Sequence, residues 1–219
     1  MLNQDFGIIL KSFYPAKNKF SIFTKTSGRL DLIFSPNAFR SHFSSGVMLD
    51  FYYDVMPNSS NILKKISIEI FPEYKDKCDI EWLHNILEIS FYFFPIGLPS
   101  VDIFNLLRDC CFFLKNRFLF NNYFNFVKRI CWARLFVLNG FSPNKSVTHA
   151  FDLYDYIKTE NLNKSRTEYI KQLKFFHKLL NMNVEFIIRD IDEWVINCMK
   201  ECSFFESLKT FSFIKTLKR

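Results

Sequence analysis

Glycine is scarce in this chain, at five of 219 residues, and none of the five is followed by Lys-Ser or Lys-Thr. A phosphate-cradling Walker loop is therefore absent, and nucleotide hydrolysis has no sequence support. The GxGxxG, GxSxG and HExxH patterns are missing as well. Four histidines (42, 84, 149, 177) lie far apart and read as ordinary surface or helix residues. Six cysteines form no CxxC pair; Cys198 and Cys202 are spaced i, i+4 without a second pair nearby, which favours buried thiols over metal ligands. Asp190, Asp192 and Glu193 are the one tight acidic group, and at an expected helix start they suit the macrodipole better than a metal. Nothing here points to an enzyme. Long apolar runs are lacking too: Ile89 to Leu98 is half of what a membrane span needs and contains Pro95. With no basic, apolar and small-residue leader at the start, the expectation is a cytoplasmic protein with no membrane partner.

What is abundant is phenylalanine, at 29 residues, beside many Lys, Asn and Ile. All four have A/T-rich codons, so stacking arguments must rest on position and not on count. The net charge is +7, and it is unevenly spread. Residues 1–45 hold six bases (Lys11, Lys17, Lys19, Lys25, Arg29, Arg40) against Asp5 and Asp31, while residues 46–79 hold four bases and six acids. Residues 110–145 hold six bases (Lys115, Arg117, Lys128, Arg129, Arg134, Lys145) and no acid. Two separate basic regions suggest a polyanion partner; two solvated faces are the plainer alternative.

Period-two alternation marks five segments in the first 70 residues: Gly7–Phe13, Lys19–Thr24, Arg29–Phe34, Val47–Val55 and Ile62–Ile70. Gly28, between the second and third, predicts a tight hairpin whose tip carries Lys25 and Arg29. In the fourth, Val47, Leu49, Phe51, Tyr53 and Val55 share a face; in the fifth, Ile62, Ile66, Ile68 and Ile70 are expected inward, interrupted by Lys64. Five short strands fit a small closed barrel, and an OB-type barrel is the natural candidate. The period then changes. Asp79 is expected to cap a helix through Ile80, Leu83, Ile86, Leu87 and Phe91; Ser100 opens a second helix; a third runs from about Asn122 to Asn139 and stops at Gly140. The signal is weak to about Ser165, and helices near Arg166–Leu180 and Arg189–Cys202 follow. The predicted class is α+β: an N-terminal five-stranded OB-type β-barrel, residues 1–78, followed by an all-α domain, residues 79–219.

A basic barrel face with aromatic neighbours can hold single strands, with rings stacking on bases and lysines running past phosphates. Here it would comprise Phe20 and Phe23 beside Lys17, Lys19 and Lys25, then Arg29, Phe39 and Arg40. Phe20 shares a face with Ile22 and reads as core, whereas Phe23 shares its face with Lys19, so core and stacking both remain open.

The order of features resembles a known family. DFGIILKSFYPAKNKFSIFTKTSGRLDLIF resembles the opening of RecO, the bacterial recombination mediator, in which a G-I-V-L strand leads to an F-T-x-x-x-G-(K/R) hairpin. SVDIFNLLRDCCFFL is similar to that family's L-F-x-L-L helix, and ARLFVLNGFSPN to its L-L-x-x-L-G-(Y/F)-x-P element. WVINCMKECSFFESLKTFSFI resembles its closing helix and P-L-K-S segment, with Thr210 in place of the serine. Two features depart from the pattern. No cysteine lies between 131 and 198, so the family's four-cysteine zinc element is not expected, and residues 144–165 would form a shortened, irregular insertion. The basic segment after the third strand is reduced to SPNAFR, keeping Arg40.

The resemblance implies a non-enzymatic mediator, without cofactor, that works at the nucleoid. It would bind single- and double-stranded DNA, contact single-strand-binding protein and RecR, anneal strands and help load RecA. Lys17, Lys19, Lys25, Arg29 and Arg40 would hold phosphates. Lys128, Arg129 and Arg134 would receive the partner's acidic tail, with Leu135 or Leu138 lining an apolar pocket or simply serving as core. The alternatives are an adaptor of the same fold with weak or lost DNA binding, and an RNA-binding OB protein.

Overall fold

The computed structural model describes residues 2–13, 16–34, 44–55, 61–116, 124–163 and 184–203, without the side chains of 156–163 and 184–185. The elements are α+β in class: five strands, β1 (Leu2–Ser12), β2 (Lys19–Thr24), β3 (Gly28–Ile33), β4 (Met48–Asp54) and β5 (Asn61–Ile70), then helices. The helices are α1 (Lys77–Phe93), α2 (Val101–Lys115), α3 (Phe124–Leu138), α4 (Lys145–Asn163) and α5 (Val184–Glu201). The helix expected near 166–180 lies outside the described residues.

The strands close on themselves in the order β1-β2-β3-β5-β4, antiparallel except where Leu32 and Ile33 of β3 run parallel to Asn61 and Ile62 of β5. β1 is long enough to serve two neighbours, pairing along β4 from Leu2 to Ile8 and along β2 from Gly7 to Ser12. Alternation then fills the interior: Ile9, Phe20, Ile22, Leu30, Leu32, Leu49, Phe51, Tyr53 and Leu63 form one buried cluster.

β5 departs from the expected pattern. Leu63 is its buried residue, whereas Ile68 is 38% exposed and Ile66 is partly buried. The register accounts for Leu63 standing inward in place of Ile62: Tyr53 pairs with Leu63 and Tyr52 with Lys65, so Lys64 is an extra, bulged residue and the inward face changes parity there. The interruption at Lys64 in the sequence is that bulge.

The N-cap of α1 lies three residues earlier than expected. Asp76 is the N-cap, its Oδ1 accepting from the Asp79 backbone N–H at 2.9 Å, and Asp79 is a buried first-turn residue whose carboxylate accepts from the Lys75 N–H. Ser100 caps α2 as expected. Phe6 of β1 meets Phe104 of α2 with ring centroids 5.8 Å apart, and Ile8 and Leu10 beyond it are buried, so the second half of the outer face of β1 is covered while Leu2 and Gln4 at its start stay exposed. Accordingly the first compact unit takes in both helices and ends near Asn116, beyond the change from strand to helix at residues 77–79.

The second unit holds α3, α4 and α5. Gly140, at φ +92, ends α3: its N–H donates to Val137 O, the Phe141 N–H donates to Phe136 O, and the Phe136 and Phe141 rings touch. Residues 145–163 are a regular helix and not the expected irregular insertion. Asn144 explains the start, accepting the Val147 N–H on its side chain, and Val147, Ala150 and Tyr154 supply a buried stripe at helical spacing. No helix among the described residues is long and apolar enough to cross a membrane.

Candidate nucleic-acid interface

The β2–β3 hairpin positions most of the predicted barrel cations. Its tip is held from β1: Asp5, 7% exposed, accepts the hydroxyls of Thr26 at 2.6 Å and Ser27 at 2.9 Å. Gly28 has φ +69, and a Cβ there would lie 2.2 Å from the Leu98 carbonyl oxygen. Glycine is thus required twice, by backbone angle and by the approach of the 96–98 segment.

The five predicted cations do not form one group. Lys17 and Lys25 are exposed beyond opposite ends of β2, a strand that by itself spans roughly 17 Å at the usual rise. Lys19 pairs with Asp31 at 2.6 Å, and Ser21 Oγ donates to the same carboxylate. Arg29 turns toward the end of α1: its Nη1 donates to the Phe91 carbonyl oxygen, and its guanidinium carbon lies 4.6 Å from the centre of the Phe91 ring. A cation at a helix C-terminus meets the unpaired carbonyls and the negative end of the dipole, a structural task. Arg40 and Phe39 lie outside the described residues. Phe23 is fully buried, with Phe94 at 5.5 Å, so the open choice between core and stacking ring falls to core.

The structure brings together a set that sequence reasoning missed. The ammonium of Lys11 lies 5.4 Å from the Phe13 ring centre, 4.8 Å from Phe91 and 5.7 Å from Tyr92. Lys19 stands 5.6 Å from the same Phe13 ring. Lys11 therefore touches all three half-buried rings, Phe13 just after β1 and Phe91 and Tyr92 in the last turns of α1, while Lys19 joins it at Phe13 and Arg29 at Phe91. Such a group can neutralise phosphates and offer π-faces to bases. Lys11 stands out in the sequence as one of the six N-terminal bases, whereas Phe91 and Tyr92 fall within an apolar helix run that carries no local sign of a site.

A cleft of about 330 Å³ adjoins this set on the other side of Lys11, lined by Leu10, Lys11, Ser45, Ile80, Glu81, His84, Asn85 and Glu88. His84 keeps an exposed side, yet partial burial lowers its pKa below the usual 6.5 against the opposing pull of Glu88, so the imidazole is mostly neutral at pH 7.

The predicted tail-binding cations lie on α3, each already engaged. Arg129 Nε donates to both carboxylate oxygens of Asp192, at 2.8 and 2.9 Å. Burial pushes the Asp192 carboxyl up and Arg129 pulls it back. Arg134 pairs with Asp155 and lies 4.6 Å from the Tyr154 ring centre, and Lys128 lies 4.5 Å from that of Phe124. The stretch without acids in sequence thus acquires them from α4 and α5. Asp190, Asp192 and Glu193 stand inside α5 and not at its start, because that helix begins at Val184; Asp190 accepts from Ser146 Oγ at 2.8 Å. Leu135 is core, and Leu138 is 40% exposed. Five cysteines are buried and Cys78 is exposed.

Comparison with models of known protein families finds no match, and comparison with curated proteins finds none either.

Proposed function

We propose that this chain is a non-enzymatic mediator of the RecO kind, whose barrel is of the OB type and holds single- and double-stranded DNA. The helical unit would receive protein partners, single-strand-binding protein and RecR, in support of strand annealing and RecA loading. The observation that carries the reading is the meeting of Lys11, Lys19 and Arg29 with Phe13, Phe91 and Tyr92. Cations spaced among rings suit a polyanion with aromatic bases better than they suit either alone. The OB assignment is supported by the closed strand order, the parallel β3–β5 contact and the sharing of β1 between β2 and β4. One contact favours the rival reading of a protein-binding adaptor: Asp31 already occupies Lys19.

The test is fluorescence anisotropy of a labelled single strand, a duplex and an RNA of equal sequence, titrated at several salt concentrations. Tight DNA binding that weakens with salt is expected. In the Lys11→Glu/Lys19→Glu variant the slope of log affinity against log salt should shrink by about 1.4, at about 0.7 per lost phosphate contact. Unchanged binding by that folded variant would remove the face from consideration, and no binding at low salt would leave the adaptor.

A further inference from the structure

We infer that the cleft beside Lys11 is a pocket for one unpaired adenine or cytosine, the bases whose pairing edge sets an exocyclic amino group beside an accepting ring nitrogen, of a single strand held on the cation and ring face. The inference rests on the nucleic-acid reading above and goes on to say which part of the ligand is recognised. Lys11 belongs to both places: it stands 4.8 Å from the Phe91 ring and lines the cleft. A strand whose phosphate lies at Lys11 and whose bases stack on the rings therefore passes the cleft mouth.

The lining has the polarity of a base edge. Glu81, His84, Asn85 and Glu88 are spaced i, i+3, i+4 and i+7 on α1, so they present one face to the cavity, and Leu10 and Ile80 supply apolar wall. Its volume of about 330 Å³ is that of a small-molecule site. Carboxylates only accept hydrogen bonds, and they suit the amino group of cytosine or adenine. Neutral His84 and Asn85 can donate to the ring nitrogen beside that amino group, because both carry an N–H. Thymine offers carbonyl oxygens where the amino group stands, and an oxygen facing Glu81 or Glu88 is repelled. The same two carboxylates disfavour a phosphate inside the cleft, which leaves the backbone at Lys11 and turns the base inward.

The test measures anisotropy with labelled dC15, dA15 and dT15 at one salt concentration, for the wild type, Glu88→Gln and the control Glu69→Gln, which removes an exposed acid of β5 that does not line the cleft. The wild type should bind dC15 and dA15 about fivefold tighter than dT15, the low end for a base-edge contact because the cleft is open. Glu88→Gln supplies a donor for thymine and should bring the ratio toward one, while Glu69→Gln should leave the ratio unchanged. Equal wild-type affinity for the three strands, or a preference that Glu88→Gln leaves intact, would overturn the pocket and leave the binding face standing. Failure of all three strands to bind at low salt would overturn the nucleic-acid reading, and this inference with it.

Discussion

Arg29 and Phe91, 62 residues apart, make two contacts at once: the guanidinium donates to the Phe91 carbonyl oxygen and lies over its ring. The pair ties the tip of the β2–β3 hairpin to the end of α1. Replacement by lysine keeps the charge and loses the planar fork. Arg29→Lys should therefore lower unfolding free energy by about 1–2 kcal/mol, read by urea denaturation, while strand affinity changes less than in Lys11→Glu. A larger effect on affinity than on stability would make Arg29 a phosphate contact first.

Gly28→Ala tests the hairpin itself. Positive φ costs an L-residue about 1–2 kcal/mol, and the methyl group would have to displace the Leu98 carbonyl as well. A midpoint shift matching at least about 2 kcal/mol is expected in chemical denaturation. A neutral result would mean that the 96–98 segment moves aside freely.

Asp31 holds Lys19 as a phosphate would. Asp31→Asn should release the ammonium, because the new amide keeps an oxygen for Ser21 Oγ but carries no charge. Single-strand affinity should rise about two- to fivefold at low salt, the range of a partly exposed ion pair, with the gain vanishing in high salt. A loss of affinity would show that the pair positions Lys19 and does not compete for it.

His84 predicts a pH dependence. Its folded pKa lies below the ordinary 6.5 because burial opposes the charged form, so below pH 6.5 the unfolded chain takes up the proton first. Stability should therefore fall as pH drops from about 6.5 toward the lowered folded value, and His84→Gln should flatten that part of the profile. Thermal melts of both proteins between pH 7.5 and 5 check it; parallel profiles would place the titration elsewhere.

Much of the fold was legible because its signals are local. Alternation marked all five strands, Ser100 and Gly140 marked the ends of helices, and the break in β5 at Lys64 was visible before its cause. The same locality explains the misses. Asp76 and Asp79 offer equivalent cap chemistry three residues apart, and only the hydrogen bonds choose between them. Residues 145–163 read as irregular because the helical stripe of Val147, Ala150 and Tyr154 is thin among polar neighbours.

Sequence alone determined which segments alternate, where the chain turns and how much positive charge it carries, since these depend on neighbours within a turn or a strand. Tertiary structure decided where that charge goes. Arg129 meets Asp192 from 63 residues away and Arg134 meets Asp155 from 21, so two cations of a run without acids became ion-paired. Phe13 reaches Phe91 from farther still along the chain, and Lys11 with them. The physical reason is that pairing of charges and rings is set by which faces pack together, and no local periodicity encodes that choice.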